Sequence, residues 1–518
     1  LYYVLLFFVL TKYFGDFIIF NSHNIFAIFL MIYLHNIVNS KMYLPYTSLQ
    51  LDLRTNDIMG PISLPIFGNL LSVWIALGKY KLHHVVWKKW SEKYGNIMGL
   101  KLGILDVVVV TGKDLIIEVS NREEFDGRPD GLAFLMRSFE KKLGLVFSDG
   151  KIWNKSRKTV VKCLRNFGFG SRSMEYQIIE ECNALVDYLL ETAGQPIKAN
   201  HMFNVPIINI LWKLVAGKRY DIRDEKLEQL CTLVYRSFKT NNMSGGPLSS
   251  LPFLRYVIPE TIGYTEAKNI HKELNAFFSE IIAEHQATVD PKNPRDVIDI
   301  LLIDMMQNKE IFTMEELHVI MLDLLEAGVE TVNNTTVFML IYLLLNPEIQ
   351  EKLQKEIDAE VGTRKPILDD RSRMVYTEAV ILEALRISTV AAMGIPHKAM
   401  EDAKLGGYFI PKGTVILLSA YELHNGDHWK EPTVFRPERF ITSDNKVRHE
   451  DGLLPFGLGK RRCMGEGLAR SELFIFLTHV LQRFTIKVPD GDPLPSTEPV
   501  DGITLSAKDF NIVFEPRF

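Results

Sequence analysis

Apolar positions recur every third or fourth residue over most of the chain. His84 to Tyr94, Ser171 to Ala193 and Thr265 to His285 all show this spacing, which predicts helices with one buried stripe. Met314 to Leu345 is the longest such run. Glu315 and Glu316 open it and Asn346-Pro347 closes it, so one long helix is predicted there. Strand-like runs are few and short: Ile97 to Leu102, Asp106 to Val110, Gly407 to Ile410 and Thr414 to Leu418. The pattern predicts a mainly α fold with a minor β-sheet and no internal repeat. The first 35 residues break it, with only Lys12 and Asp16 charged. Their apolar runs, Leu1 to Leu10 and Ile25 to Leu34, fall short of the roughly 18 residues of a clean membrane span. Residues 1–48 are read as an N-terminal membrane anchor, with an incorrectly joined start as the alternative. Residues 49–69 contain Gly60-Pro61-Ile62-Ser63-Leu64-Pro65 and are read as a polar, proline-rich linker, because proline fixes its own φ and restricts the residue before it. Residues 70–518 are read as a single domain.

Composition narrows the class. With 47% hydrophobic and 24% charged residues, the chain has enough apolar side chains for a large core, which excludes a disordered tail. A net charge of −4 argues against nucleic-acid binding, which relies on excess positive charge. Cys163, Cys182, Cys231 and Cys463 are widely spaced with no CxxC pair, so neither a zinc ribbon nor a disulfide framework is indicated. No P-loop, HExxH, GxGxxG or GxSxG occurs. The sequons at Asn154, Asn242, Asn333 and Asn334 are read as chance matches, three of them lying inside predicted helices.

One cysteine differs from the others. Cys463 sits in Leu454-Pro455-Phe456-Gly457-Leu458-Gly459-Lys460-Arg461-Arg462-Cys463-Met464-Gly465-Glu466, a glycine-rich basic loop before a predicted helix. Glycines allow the backbone to approach something flat. Three cations and a helix N-terminus favour thiolate over thiol. A lone soft anion without partners for tetrahedral zinc fits a single axial bond to a haem iron better.

Phe456-x-x-Gly459-x-Arg461-x-Cys463-x-Gly465 resembles the haem-thiolate signature of the cytochrome P-450 monooxygenases. Four more segments resemble the family in its own order. Trp153-x-x-x-Arg157 is similar to its propionate-binding helix, and Ala327-Gly328-Val329-Glu330-Thr331 to the oxygen-binding segment of its long helix. Glu383-Ala384-Leu385-Arg386 is similar to its E-x-x-R pair. Phe435 to Phe440 is similar to its meander, whose arginine, here Arg439, joins that pair. By itself the Glu383–Arg386 pair would read as a solvated helical pair. The resemblance runs from about Pro61 to the C-terminus; residues 1–59 fit it loosely. Pro61 to Asn69, Glu123 to Pro129 and Leu164 to Gly168 resemble the animal microsomal branch, and within it arthropod members.

The resemblance implies the cytochrome P-450 fold, with a long central helix over the haem and the cysteine loop before a helix; 70–518 would be one haem-thiolate catalytic domain. It implies haem b with Cys463 as axial ligand, Phe456 and Gly465 in the loop around it, and Arg461, Trp153, Arg157, Arg128 and His397 at the propionates. Thr331 and Glu330 would deliver protons. Gly328 weakens the helix and Thr331 can bond back to a carbonyl, so an interrupted backbone ladder is expected there. Ala327, Val390, Ala391, Ala392 and Ile503 would line a pocket for a lipophile. The alternatives are core packing for Trp153 and the pocket residues, a surface histidine for His397, and local capping or ion pairing for Glu330. The implied activity is insertion of one oxygen atom of O2 into a lipophilic terpenoid, steroid, fatty acid or xenobiotic. A haem-thiolate isomerase or dehydratase and a non-catalytic lipophile-binding haem protein are the alternatives. No flavin or iron–sulfur signature is present, so electrons from NADPH would come through a separate cytochrome P-450 reductase, with cytochrome b5 as a second partner. Lys155, Lys158, Lys162, Arg165, Lys460 and Arg462 would offer that partner a basic face. The implied location is the endoplasmic reticulum membrane, catalytic domain to the cytosol.

Overall fold

The computed structural model describes residues 58–307 and 312–517. The expected anchor and the first part of the expected linker lie outside them. The described residues form sixteen helices: α1 (Leu70–Tyr80), α2 (His83–Tyr94), α3 (Lys113–Asn121), α4 (Leu132–Leu135), α5 (Gly150–Asn166), α6 (Arg172–Glu191), α7 (Asn204–Ala216), α8 (Glu225–Thr240), α9 (Gly246–Ser250), α10 (Tyr264–Thr288), α11 (Val297–Met306), α12 (Met314–Leu345), α13 (Pro347–Glu360), α14 (Val375–Ser388), α15 (Ala420–Asn425) and α16 (Glu466–Arg483). The strands are β1 (Ile97–Leu102), β2 (Leu105–Val110), β3 (Ile197–Lys198), β4 (His397–Lys398), β5 (Ala403–Leu405), β6 (Tyr408–Ile410), β7 (Val415–Leu418), β8 (Phe484–Lys487) and β9 (Asn511–Pro516). The fold is mainly α with small sheets, as the pattern predicts.

The largest sheet runs β1-β2-β7-β4. β1 and β2 form a hairpin that pairs Ile97 with Val110, β2 runs parallel to β7 with Val107 opposite Val415, and β4 sets His397 against Ile416. The proline-rich segment is held on this sheet rather than hanging free. Met59 O accepts from Gly99 N at 3.0 Å. Asn69 donates to Pro61 O at 2.7 Å and accepts from Lys101 N at 2.6 Å. The body therefore includes residues from 58 onward, ahead of the expected boundary at 70.

α12 is the centre of the helical half and runs the full predicted length. Thr313 caps it by accepting from Glu316 N at 3.1 Å, and Glu315 and Glu316 complement the positive helix start. Asn346 ends it, and Pro347 opens α13 at the first helical position, where a missing N–H costs nothing. α12 is apolar and long enough to cross a membrane, yet 83% of its most apolar window is buried inside the protein, so it is a core helix. α7, α10, α14 and α16 pack around it. Gly328 brings α7 close, since a Cβ there would stand 2.8 Å from Leu211 Cδ2.

Candidate active site

Cys463 is presented by a turn that only glycines allow. Gly457 and Gly459 have φ of 68° and 66°. A Cβ on Gly459 would stand 1.8 Å from Ser120 O of α3, so no side chain fits between loop and helix. Cys463 N–H donates to Phe456 O at 2.9 Å and closes the loop, and Gly465 leads into α16. Cys463 is the one exposed cysteine, and it lines a cavity of about 420 Å³. Burial pushes the Cys463 thiol up; the backbone N–H groups of Gly465 and Glu466 and the Arg157 cation pull it down. The loop cations expected to secure the thiolate are committed elsewhere. Lys460 lies 3.4 Å from Glu123 and 3.6 Å from Asp126, and Arg462 lies 2.6 Å from Glu466. A coordinating metal deprotonates a thiol outright, so a haem iron held by Cys463, rather than the loop's charge, would make the thiolate. Cys163, Cys182 and Cys231 are buried, and burial raises each thiol.

Three guanidinium groups line the same cavity without a carboxylate partner in hydrogen-bond reach. Arg128 Nε donates to Val146 O at 3.0 Å and its Nη1 to Pro396 O at 3.0 Å. Arg157 donates to Arg462 O at 2.6 Å. Arg461 donates to Asp126 O and Ser148 O, each at 2.9 Å, and its buried Nη1 has no partner. Desolvation weighs against each of these cations. Buried charge of one sign calls for a counter-charge, and guanidinium forks suit carboxylates. A haem, with its propionates, fits this cradle. Trp153 differs from expectation: its indole N–H is engaged with Leu145 O at 3.1 Å, and its ring instead carries Arg461 at 3.9 Å from the centroid. His397 is buried and lines the cavity; its Nδ1 is 2.8 Å from Phe125 O, and burial holds it down to about 3.

Glu383 and Arg386 are both fully buried on α14. Arg386 donates to Glu383 twice, at 2.7 and 2.9 Å, and Arg439 Nε adds a third bond at 3.0 Å. The reach to the cysteine loop runs through a residue that sequence reading missed. Arg386 Nη1 donates to His424 O at 2.8 Å, and His424 Nε2 accepts from Leu454 N at 2.9 Å, at the start of the loop.

α12 forms one cavity wall with Ala327, Gly328 and Thr331. Every residue from Met314 to Leu345 is helical, so the expected interruption is absent from this structure. Thr331 Oγ1 donates to Ala327 O at 2.8 Å beside an unbroken helix. Glu330 is not on the wall. It is buried, accepts from Asn334 at 2.9 Å, and burial raises its carboxyl. The two adjacent residues point about 100° apart around the helix, so only Thr331 faces the cavity. Val390, Ala391 and Ile503 line the cavity, whereas Ala392 lines a small separate void beside His84 and Met393. Sequence reading also missed Asp323 and His271 on the cavity wall, and Glu472 in α16. The available signal was acids at i and i+3 within an apolar helix.

A lone sulfur opening on a cavity lined by three guanidinium groups that no carboxylate hydrogen-bonds fits a haem-thiolate protein. Comparison with known proteins agrees. The family model described as Cytochrome P450 matches residues 59–514. The chain is 60% identical over 460 residues to a Bombyx mori protein named farnesoate epoxidase, covering 88% of this chain and 93% of that one. It is 35% identical over 473 residues to the Drosophila melanogaster probable cytochrome P450 305a1, covering 88% and 94%. It is 36% identical over 444 residues to cytochrome P450 2B2 of Rattus norvegicus, covering 84% and 88%. The chain belongs to the cytochrome P450 family and is a haem-thiolate monooxygenase that acts on lipophilic small molecules.

Proposed function

We propose that this enzyme epoxidises farnesoate or a close acyclic isoprenoid relative. One observation carries the reading: the 60% identity, over 88% of the chain, to a protein named farnesoate epoxidase. The cavity supports it. Phe134, Leu211, Leu324, Val390 and Ile503 give apolar walls, while Ala327, Gly328 and Ala391 leave room for a long substrate. Haem held by Cys463, Arg128, Arg157 and Arg461 would supply activation of O2 and transfer of one oxygen atom. The walls orient the chain and exclude water, and Thr331 Oγ1 can hold a water and pass a proton from it. Electrons come from NADPH through a separate flavoprotein reductase, with cytochrome b5 as a second donor. Lys155, Lys158, Lys162 and Arg165 on α5 and Lys460 and Arg462 on the loop are exposed. The Arg157 bond to Arg462 O brings the two elements together, and their exposed cations would suit an acidic donor. The enzyme sits on the endoplasmic reticulum membrane with its catalytic body in the cytosol, where that reductase and NADPH are found.

The test is turnover of farnesoate by the full chain with reductase and NADPH, with the product identified by mass spectrometry. An epoxide formed only with NADPH and reductase, and lost in Cys463→His, is the expected result. No farnesoate consumption by protein with a normal reduced carbon monoxide spectrum would overturn the substrate assignment.

A further inference from the structure

α14 ends on a strained turn beside the site. Thr389 follows Ser388 with φ 37° and ψ 55°, in the left-handed region. Among the described residues it is the only buried non-glycine residue with a positive φ. A β-branched side chain is disfavoured there, and glycine or asparagine normally ends a helix in this conformation. Strain of this sort persists where surrounding contacts over-determine it, and it clusters at functional sites. Thr389 and its neighbour His424 of α15 both border the cavity that Cys463 lines.

The contacts give every proton at this turn a place. His424 is fully buried, and burial, then Arg386 and His428, hold it down to about 3, so the ring is neutral. The backbone N–H of Leu454 can only donate, so His424 Nε2, 2.9 Å from it, accepts and Nδ1 carries the hydrogen. Nδ1 lies 3.3 Å from Thr389 Oγ1. That hydroxyl gives its own hydrogen to Arg386 O at 2.5 Å, so its lone pairs accept from His424 Nδ1 and from Asn425 Nδ2 at 3.1 Å. An ordinary helix stop needs only the bond to Arg386 O. The other two bonds reach across to α15 and, through the imidazole, to Leu454. Two residues on, Phe456 O accepts from Cys463 N–H at 2.9 Å, so a shift at Leu454 has a short path to the sulfur.

We infer that Thr389 is a positioning residue for the haem-thiolate centre: acting through His424, its hydroxyl holds the start of the cysteine loop in place. The left-handed turn is what aims that hydroxyl at the imidazole. The carbonyl of His424 is held separately by Arg386 Nη1 at 2.8 Å, so the ring is the part of His424 that Thr389 controls. This role does not depend on which lipophile the enzyme oxidises.

The experiment uses the full-length holoenzyme and follows the Soret band of the reduced carbon monoxide complex in mild urea. The red-shifted position reports the thiolate, and the rate at which the band moves to the position of non-thiolate ligation is measured. Thr389→Val keeps the shape and loses the hydroxyl, and should speed that decay about tenfold, within the range for leaving one buried donor unpaired. Thr389→Ser keeps the hydroxyl and should behave like the wild type. His424→Gln offers Leu454 an acceptor but no ring N–H to Thr389. In that background Thr389→Val should add little, because residues that act as one unit are not additive. A full effect in both backgrounds would place the action of Thr389 elsewhere and overturn the inference, as would a wild-type decay rate in Thr389→Val. Thr389→Gly relieves the left-handed backbone without restoring the hydroxyl, and should still decay as fast as Thr389→Val. A band as durable as the wild type's would show that only the turn matters and overturn the inference. Should Thr389→Val not load haem, Thr389→Gly takes its place in both backgrounds.

Discussion

Glu383→Ala removes the acceptor at the centre of a buried cationic network. The carboxylate is fully buried and takes four hydrogen bonds: two from Arg386, one from Arg439 Nε, and one from Arg436 N at 2.8 Å. Removing one partner of a buried ion pair typically costs about 3–5 kcal/mol, because the other charge stays buried without compensation. Here Arg386 is left fully buried, and the orphaned Arg436 amide adds roughly 1–3 kcal/mol. The groups share one partner, so the terms do not simply add, and a total of about 4–7 kcal/mol is expected. That is a large part of the roughly 5–15 kcal/mol that holds an ordinary domain folded. The loss should also reach the haem loop, because Arg386 holds His424 O and His424 holds Leu454 N. The assay is urea denaturation, followed in parallel by far-ultraviolet circular dichroism and by the reduced carbon monoxide spectrum. Glu383→Ala should give little haem-loaded protein, and what loads should lose its Soret signal before its helicity. Glu383→Gln, which keeps two hydrogen-bond roles, should be intermediate. Wild-type haem content with a stability change below about 1 kcal/mol, the worth of an exposed pair, would refute the reasoning.

Two further outcomes follow from the same geometry. Thr331→Ala should keep haem and substrate binding but lower the ratio of product to released peroxide by up to about 10²-fold, the low end of a positioned proton donor's contribution; an unchanged ratio would leave Thr331 as a packing residue. Glu472 is buried with an unpartnered Oε1, and burial raises its carboxyl well above the ordinary 4.5, so the folded state keeps a proton that the unfolded state releases. The stability this group contributes is complete below about that ordinary value and falls as pH rises toward the raised folded value, by at most about 1.4 kcal/mol per unit. Glu472→Gln should therefore gain on the wild type steadily from pH 5 to 7 in denaturation midpoints; a pH-independent difference would count against a protonated Glu472.

Much of the fold was legible because its signals are local. The long helix ran from Met314 to Leu345 as read, since an acidic first turn and Asn346-Pro347 act within a few residues of its ends. Strands β1 and β2 were found because short β-branched or apolar runs need no distant partner to be recognised. Cys463 stood out because glycines, cations and a helix start surround it within a dozen positions. Which residue faces which side of a wall was not legible. Glu330 and Thr331 are neighbours in sequence, yet one meets Asn334 and the other the cavity, and only the packing of α7 and α8 against α12 decides that.

The sequence by itself determined the class of protein, its longest helix and the cysteine that would hold the iron, because those rest on spacings within single segments. Only the tertiary structure decided how charge is shared out. It turned Lys460 and Arg462 away to carboxylates, left Arg128, Arg157 and Arg461 without any, and joined the E-x-x-R pair to the cysteine loop through His424. It also gathered Arg137, Ser237, His271, Asp323 and Glu326 from four separate segments at one end of a cavity. Such a cluster leaves no trace in any one segment, because Coulomb energy and hydrogen bonds depend on distance in space, and burial, which sets their strength, exists only once the helices have packed.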